Sequence, residues 1–277
     1  MILLIKLNKN EISLFYILKS TAFIMKIALT FDVERDIPNV LDTYYGVRFG
    51  LLKILKILDH FNIKGTFFCT GNVVEHQPDY IRIIERKGHE IACHSLNHER
   101  LNQLNFKKCQ EIIYQNKKII EDTCQNSEAI GFRAPYLRPP KFLFRVLNKL
   151  GFKYDSSIKS PKKLKYYQGN DYQIQEFHPS NLNIFFRLPM GYSFLRKGFV
   201  KKKSLILCFH PWEAVNIKNL MFNQVNTFNR FKNILFRRDR VGNTGNTFIT
   251  RIRNFIKESV SKKAEFVSLN QLIIERN

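Results

Sequence analysis

The sequence predicts an α/β fold in which parallel strands alternate with helices and the reactive groups gather where the strands end. Two observations predict it. Short apolar runs of strand length alternate, from Lys26 to Leu269, with stretches of helical apolar spacing. Five segments at the ends of such runs carry residues able to do chemistry: Thr30-Phe31-Asp32-Val33-Glu34, His94-Ser95-Leu96-Asn97-His98, Arg133-Ala134-Pro135-Tyr136, Tyr154-Asp155-Ser156-Ser157 and Phe209-His210-Pro211-Trp212-Glu213. Charges there are costly to bury unless paired or metal-bound, so five in series read as one site at the mouth of a strand-and-helix barrel.

The elements follow in order. Ile27, Leu29 and Phe31 alternate with Ala28, Thr30, Asp32 and Glu34. The first strand, Lys26 to Phe31, therefore sends its bulky residues outward against helices and turns the other set to the interior or its rim. Gly50 to Phe61 has helical spacing at Leu51, Leu52, Ile54, Leu55 and Leu58. Lys64 to Thr70 is the second strand, and Pro78 opens a helix that Gly88 closes. Glu90 to Cys93 is the third strand and runs into His94; Phe106 to Cys124 is a long amphipathic helix. Ala129 to Arg133 is the fourth strand, Lys141 to Leu150 a helix stopped by Gly151, and Phe152 to Asp155 the fifth strand. After a loop at 159–172, Ile184 to Leu188 and Leu205 to Phe209 are further strands. Phe228 to Lys262 is helical in two pieces about the polar break at 242–246, and Glu265 to Leu269 is a closing strand.

The chain has 277 residues, 44% of them hydrophobic, which suits one domain over 25–277. For residues 1–24 two readings stand: an amphipathic extension, or a start assigned too early, since Met25 immediately precedes the first strand. Their longest apolar run, Ile12 to Leu18, is too short to span a bilayer, and no secretory signal pattern is present. Five cysteines without a CxxC pair read as reduced thiols, and the expected location is the cytoplasm, including its membrane face.

The formal charge of +22 also has two readings. One is an anionic partner, a phosphate-bearing substrate or an acidic membrane face; the other is coding biased toward A and T. Lys159, Lys162, Lys163 and Lys165 form one cluster, and Arg196, Lys197, Lys201, Lys202 and Lys203 another, both placed to rim the barrel mouth. Nucleic acid is not expected, because no binding motif accompanies the basic residues.

His94 and His98 stand at i and i+4, which would put both on one helical face. Two imidazoles and a carboxylate leave open positions on Zn²⁺, where an ion activates water and polarises a carbonyl. Asp32 and Glu34 supply two carboxylates, one for a metal and the other for a proton. Taken singly, Arg133 reads as a surface arginine or a carboxylate clamp, Asp155 as an Asx-turn or a functional acid, and His210 as a satisfied histidine under Trp212 or a catalytic one. Taken together they point to a mononuclear metal hydrolase.

The order and content of these motifs resemble the polysaccharide deacetylase family, the nodulation-type deacetylase homology domain of carbohydrate esterases, in its Phe-Asp-Val-Glu branch. The resemblance covers about 26–270 and implies a distorted (β/α) barrel of about seven strands. It implies Asp32 as general base, Glu34, His94 and His98 as ligands of one divalent ion (expected to be Zn²⁺), and Arg133 as the group orienting Asp32. It also implies an oxyanion contact from the amide of Tyr136 beside Pro135, and His210 as general acid tuned by Asp155. Trp212 and the loop carrying Pro189, Met190, Gly191 and Tyr192 would shape a sugar pocket. Glu34 stands where the commoner pattern has an aspartate directly after the first, and the fourth motif lacks a second acid and a tryptophan. The expected activity is removal of an N-acyl group, acetyl first, from an amino sugar of a cell-surface glycan or its lipid-linked precursor. The alternatives are hydrolysis of another non-peptide C–N bond, such as deformylation, and a non-catalytic glycan- or membrane-binding module.

Overall fold

The computed structural model describes residues 24–37, 41–164, 173–193, 204–224 and 242–273. The proposed extension, apart from Ile24, lies outside them, as do Lys165, the whole of the second basic cluster and the first part of the expected 228–262 helix.

One parallel sheet organises the chain. Its strands are β1 (Lys26–Val33), β2 (Thr66–Cys69), β3 (Glu90–Cys93), β4 (Gly131–Phe132), β5 (Tyr154–Asp155), β6 (Gln175–Glu176), β7 (Ser204–Phe209) and β8 (Glu265–Phe266). The spatial order is β6-β5-β4-β3-β2-β1-β7. β1 pairs with β7 through Lys26–Phe31, while β8 and then β2 take its other edge. β6 and β7 do not pair as strands, but the amide of Ser180 donates to the carbonyl of Ile206 (2.8 Å) and draws the chain after β6 toward β7. The result is the expected distorted barrel, seven strands on one path with β8 against the first.

The described helices are α1 (Leu51–His60, after a π turn at Gly46–Gly50), α2 (Gly71–His76), α3 (Pro78–Arg86), α4 (Phe106–Thr123), α5 (Leu143–Lys149), α6 (Pro161–Leu164), α7 (Ile217–Gln224) and α8 (Asn246–Ser261). Their starts are chemically marked: the Asn105 side chain accepts from Lys108 N at α4, and Thr70 from Val73 N at α2. Gly88, after α3, has a φ of +69°, the left-handed conformation glycine takes at a helix end.

Strand alternation in β1 is as the sequence implies. Ile27, Leu29, Phe31 and Val33 join the core beneath the helices, while Ala28 packs inside the barrel with Phe68, Ala92, Tyr154, Ile206 and Leu269. This places Thr30, Asp32 and Glu34 on the inner face and at its upper rim.

One expected strand is absent. Ile184 to Leu188 is not extended; Asn181–Phe186 is a 3₁₀ turn whose start is capped by Ser180. Its carbonyls go to side chains instead of a neighbouring strand. Arg251 donates to the carbonyls of Phe186 (2.6 Å) and Leu188 (2.9 Å), and Asn243 to that of Arg187 (2.6 Å). The sixth strand is Gln175–Glu176, earlier in the chain.

The barrel interior has no slack beside β4. A Cβ on Gly131 would lie 2.0 Å from Cζ of Tyr154, whose hydroxyl donates to Glu90 (2.7 Å). Gly131→Ala is expected to destabilise the protein by at least about 1–3 kcal/mol, the usual cost of overpacking a filled core. A urea midpoint equal to that of the parent would show that the ring can move aside.

Candidate active site

Asp32 and Glu34 stand at the end of β1, two residues apart and on one face. Both are almost fully buried. Asp32 Oδ1 accepts from Arg133 Nη1 (2.7 Å), and Oδ2 accepts from the thiol of Cys208 (3.1 Å). Burial opposes the charge on Asp32, but the Arg133 guanidinium, with His94 and His210, holds its carboxyl well below the usual carboxylate range. Arg133 is itself fully buried, and every nitrogen of its guanidinium donates a hydrogen bond. It donates to Thr30 Oγ1 (2.9 Å), Ser156 O (3.1 Å) and Ser156 Oγ (2.9 Å), and lies 4.1 Å over the Phe68 ring. A guanidinium so fixed sets the orientation of the carboxylate.

His94 follows β3 directly. Its amide donates to Asn116 Oδ1 (3.0 Å) on α4, and its Nδ1 donates to the carbonyl of Arg133 (2.8 Å). With Nδ1 carrying the proton, Nε2 presents its lone pair. Burial pushes the imidazole down to about 4, against the raising effect of Asp32, so it is neutral near pH 7. His98 does not share a helical face with it. Residues 94–100 form a turn with Ser95 at φ 69° and His98 at φ 61°, closed by hydrogen bonds from Ser95 Oγ and Asn97 N to Glu99. The turn brings the two rings to 5.3 Å between centroids, where a helix had been expected to do so.

Glu34, His94 and His98 each aim one ligand atom at a common region, all within 4.8 Å of one another. Nε2 of His98 is 2.5 Å and Nε2 of His94 3.8 Å from Glu34 Oε2. That oxygen is nevertheless buried without a hydrogen-bond partner, so its approach to His98 lacks hydrogen-bond alignment. Three lone-pair atoms converging on one point, one of them orphaned, fit a divalent ion.

His210 follows β7 and reaches the same region, its Nε2 3.6 Å from Glu34 Oε1 and 3.9 Å from Asp32 Oδ2. Its Nδ1 donates to Glu213 Oε1 (2.9 Å), and its ring stacks on Trp212 at 5.0 Å. Burial alone would lower its pKa, but the hydrogen bond to Glu213 and the charges of Glu34, Glu213 and Asp32 raise it above the usual histidine value.

Asp155 does not occupy the place beside His210. Its carboxylate accepts from Ser157 Oγ (2.6 Å) and Ser157 N (3.2 Å), and it is coupled to Glu176 across the β5–β6 register. Burial, followed by the charge of Asp155, raises Glu176 well above the carboxylate range, and burial raises Asp155 as well. Glu213, three residues after His210 in its own motif, is the group that touches the imidazole.

Tyr136 lines the cleft with φ 60°, edge-on to the His98 ring (4.4 Å) and under the Arg100 guanidinium (4.4 Å). Pro135 is buried at the start of that turn. Trp212 lines the cleft, but Tyr192 packs edge-on against Phe186 (5.8 Å), and Met190 is 72% exposed. The cleft, about 240 Å³ in volume, is also lined by Lys159, Asn181, Asn183 and Arg187.

The family model for polysaccharide deacetylase matches residues 24–154, from the start of β1 through β5. Over these residues the chain resembles the polysaccharide deacetylase family. The peptidoglycan deacetylase-like protein FGM2 of Gibberella zeae is 32% identical over 132 residues, covering 47% of this chain and 39% of that protein. The peptidoglycan-N-acetylmuramic acid deacetylase PdaA of Bacillus subtilis is 29% identical over 141 residues, covering 46% and 51%. The chain thus spans about half the length, or less, of these curated relatives. A polysaccharide deacetylase fold extends further: a crystal structure from Mycobacterium smegmatis described as a putative polysaccharide deacetylase aligns with a TM-score of 0.69 at 21% identity, over 90% of this chain and 89% of that one.

Two buried histidines, His89 and His94, carry a pH consequence. His89 and His94 are both held near 4 by burial. Folded-state values below the unfolded value of about 6.5 mean that the unfolded chain binds more protons between them. In metal-free protein, stability should be full above pH 6.5 and fall as the pH drops toward 4. A flat urea midpoint across that window would show that neither imidazole is neutral in the fold.

Proposed function

We propose that this chain is a metal-dependent N-deacetylase acting on an amino-sugar glycan. The observation that carries the reading is that Asp32 and His210 each reach within 3.9 Å of the Glu34–His94–His98 cluster, one depressed toward its charged base form and the other raised toward its charged acid form. That pairing suits hydrolysis of an amide, which needs a base at the start and an acid at the end. The relatives named as peptidoglycan and chitooligosaccharide deacetylases support the same choice of substrate class.

Glu34, His94 and His98 would hold a divalent ion, zinc by their donor set, which would supply Lewis acidity for the acyl carbonyl and lower the pKa of a water. Asp32, held by Arg133, accepts the proton of the attacking water. The amide of Tyr136, in the turn that lines the cleft, donates to the oxygen on which negative charge develops. His210 gives its proton to the departing amine, and Glu213 keeps the imidazole oriented and charged until it does. Asp155 holds Ser157, whose hydroxyl accepts from the amide of Ala134 (2.7 Å), and so supports the same turn.

The test is incubation of the zinc-loaded protein with N-acetylglucosamine oligomers. Acetate and free amine should appear in equal amounts. Release of formate from an N-formyl analogue, with the N-acetyl oligomers untouched, would favour deformylation; tight glycan binding without either product would favour a binding module. We also propose a cytoplasmic location. Its support is that all five cysteines are unpaired and buried, as in a reducing compartment; cell fractionation checks it. Among the described residues, no helix is long and apolar enough to cross a membrane.

A further inference from the structure

The cleft is also lined by a cation that the proposed reaction does not use. Arg187 is only 7% exposed, yet its Nε has no hydrogen-bond partner among the described residues. Glu213 is set against its charge but leaves Nε without a hydrogen bond. Oε1 of that carboxylate already accepts from His210 Nδ1 (2.9 Å) and from the His210 amide (3.2 Å), and Oε2 stands 3.5 Å from Arg187 Nε without forming a hydrogen bond. The guanidinium is steadied by the Trp212 ring, 5.5 Å away, whose own Nε1 is also buried without a partner. Leaving such donors unmet costs free energy, and the usual complement is an anion presented to the planar fork.

The segment that carries Arg187 is built to stay in place. It follows the 3₁₀ turn Asn181–Phe186, and four consecutive carbonyls, from Phe186 to Pro189, are all claimed by Arg251 or Asn243 at 2.6–3.1 Å. Lys159, from the loop after β5, lines the same cleft; it is exposed and makes no ion pair among the described residues. Its ammonium is therefore available to a ligand. Asn181 and Asn183 add neutral polar groups between the two cations. The cleft also holds acidic groups, but Asp32 is matched by Arg133 and Glu34 belongs to the metal cluster. With Glu213 set against Arg187, Lys159 is a cation of the cleft left without a counter-charge among the described residues, and it draws negative charge on a substrate toward the Lys159–Arg187 side.

We propose that the cleft contains an anion subsite formed by Arg187 and Lys159, and that the substrate is an amino sugar bearing a carboxylate or phosphate substituent close to its N-acyl group. This rests on the deacetylase reading for the identity of the sugar, but not for the presence of the subsite. The sole tryptophan of the chain is Trp212, so its fluorescence reports on occupancy of this part of the cleft.

The test uses the zinc-loaded protein and three N-acetylglucosamine oligomers of equal length: neutral, carboxyalkyl ether-substituted, and phosphate-substituted. Dissociation constants come from Trp212 fluorescence, and acetate release is followed in parallel. At least one anionic oligomer should bind about tenfold or more tightly than the neutral one, a difference of about 1.4 kcal/mol. Which of the two does so identifies the substituent. The preference should weaken as salt rises, and most of it should disappear in Lys159→Met and in Arg187→Lys, which keeps a charge beside Glu213 but removes the fork. Equal binding of all three oligomers to the parent protein would overturn the subsite even if all three are deacetylated. A preference retained in full by both variants would also overturn it. Charge-selective binding with no acetate released would leave the subsite standing and remove the deacetylase reading.

Discussion

Asp32→Asn is expected to cut turnover on an N-acetylated oligomer by about 10²–10⁴, the range for loss of one general catalyst. The side chain keeps its shape but can no longer take a proton. Metal content should be unchanged, because the proposed ligand set is Glu34, His94 and His98 and does not include this residue. The substitution has a second consequence that separates it from a simple loss of chemistry. Arg133 is 0% exposed, and Asp32 supplies its only ion pair among the described residues. Removing that charge leaves a buried guanidinium uncompensated, which costs about 3–5 kcal/mol. The variant should therefore be both inactive and clearly less stable, most of all near neutral pH where Asp32 is ionised in the parent. Turnover within a few-fold of the parent would exclude Asp32 as the base.

His210→Ala should lose turnover by a similar factor of about 10²–10⁴ on an unactivated amide. It should lose much less on a substrate whose amine is already a good leaving group. Glu213→Gln is the more discriminating change. Burial and Glu213 act on the imidazole in opposite directions, and the carboxylate is what tips the balance upward. Without its charge the acid form is lost at lower pH. The alkaline limb of the kcat/KM profile should therefore move toward acid, while the limb set by Asp32 stays. A rate lowered equally at every pH, with both limbs in place, would reduce Glu213 to a packing role. Asp155→Asn should not move the alkaline limb, since Asp155 contacts Ser157 and Glu176 and not His210.

Much of this was legible in the sequence because strand geometry is regular. Period-two alternation in Lys26–Val33 put Asp32 and Glu34 on one face, and the apolar run before His94 marked the end of β3. The spacing of His94 and His98 was read for the wrong reason. Four residues bring side chains together on a helix, but here they do so through a turn with two left-handed residues, which no periodicity signals. Ile184 to Leu188 has strand composition, yet its carbonyls are taken by Arg251 and Asn243, each more than fifty residues away in the chain. That long-range capture hid the place of Arg187 in the cleft and moved Tyr192 out of it. Glu213 could have been found: an acid three residues after a strand-end histidine can return to Nδ1 through a single tight turn, and the structure shows it doing so. Cys208 and Asn116 left no such trace, since a thiol in an apolar strand and an asparagine in an amphipathic helix are ordinary there.

The proposed function requires Glu34, His94 and His98 to act as one metal centre that drives hydrolysis. The most direct measurement is metal content per chain by mass spectrometry after loading with Zn²⁺ and exhaustive desalting, taken together with acetate release. The parent and Asp32→Asn should each retain one equivalent, and His94→Ala should retain none and release no acetate while keeping a cooperative unfolding transition. A full equivalent of zinc in His94→Ala, or undiminished acetate release from the metal-free parent, would contradict it.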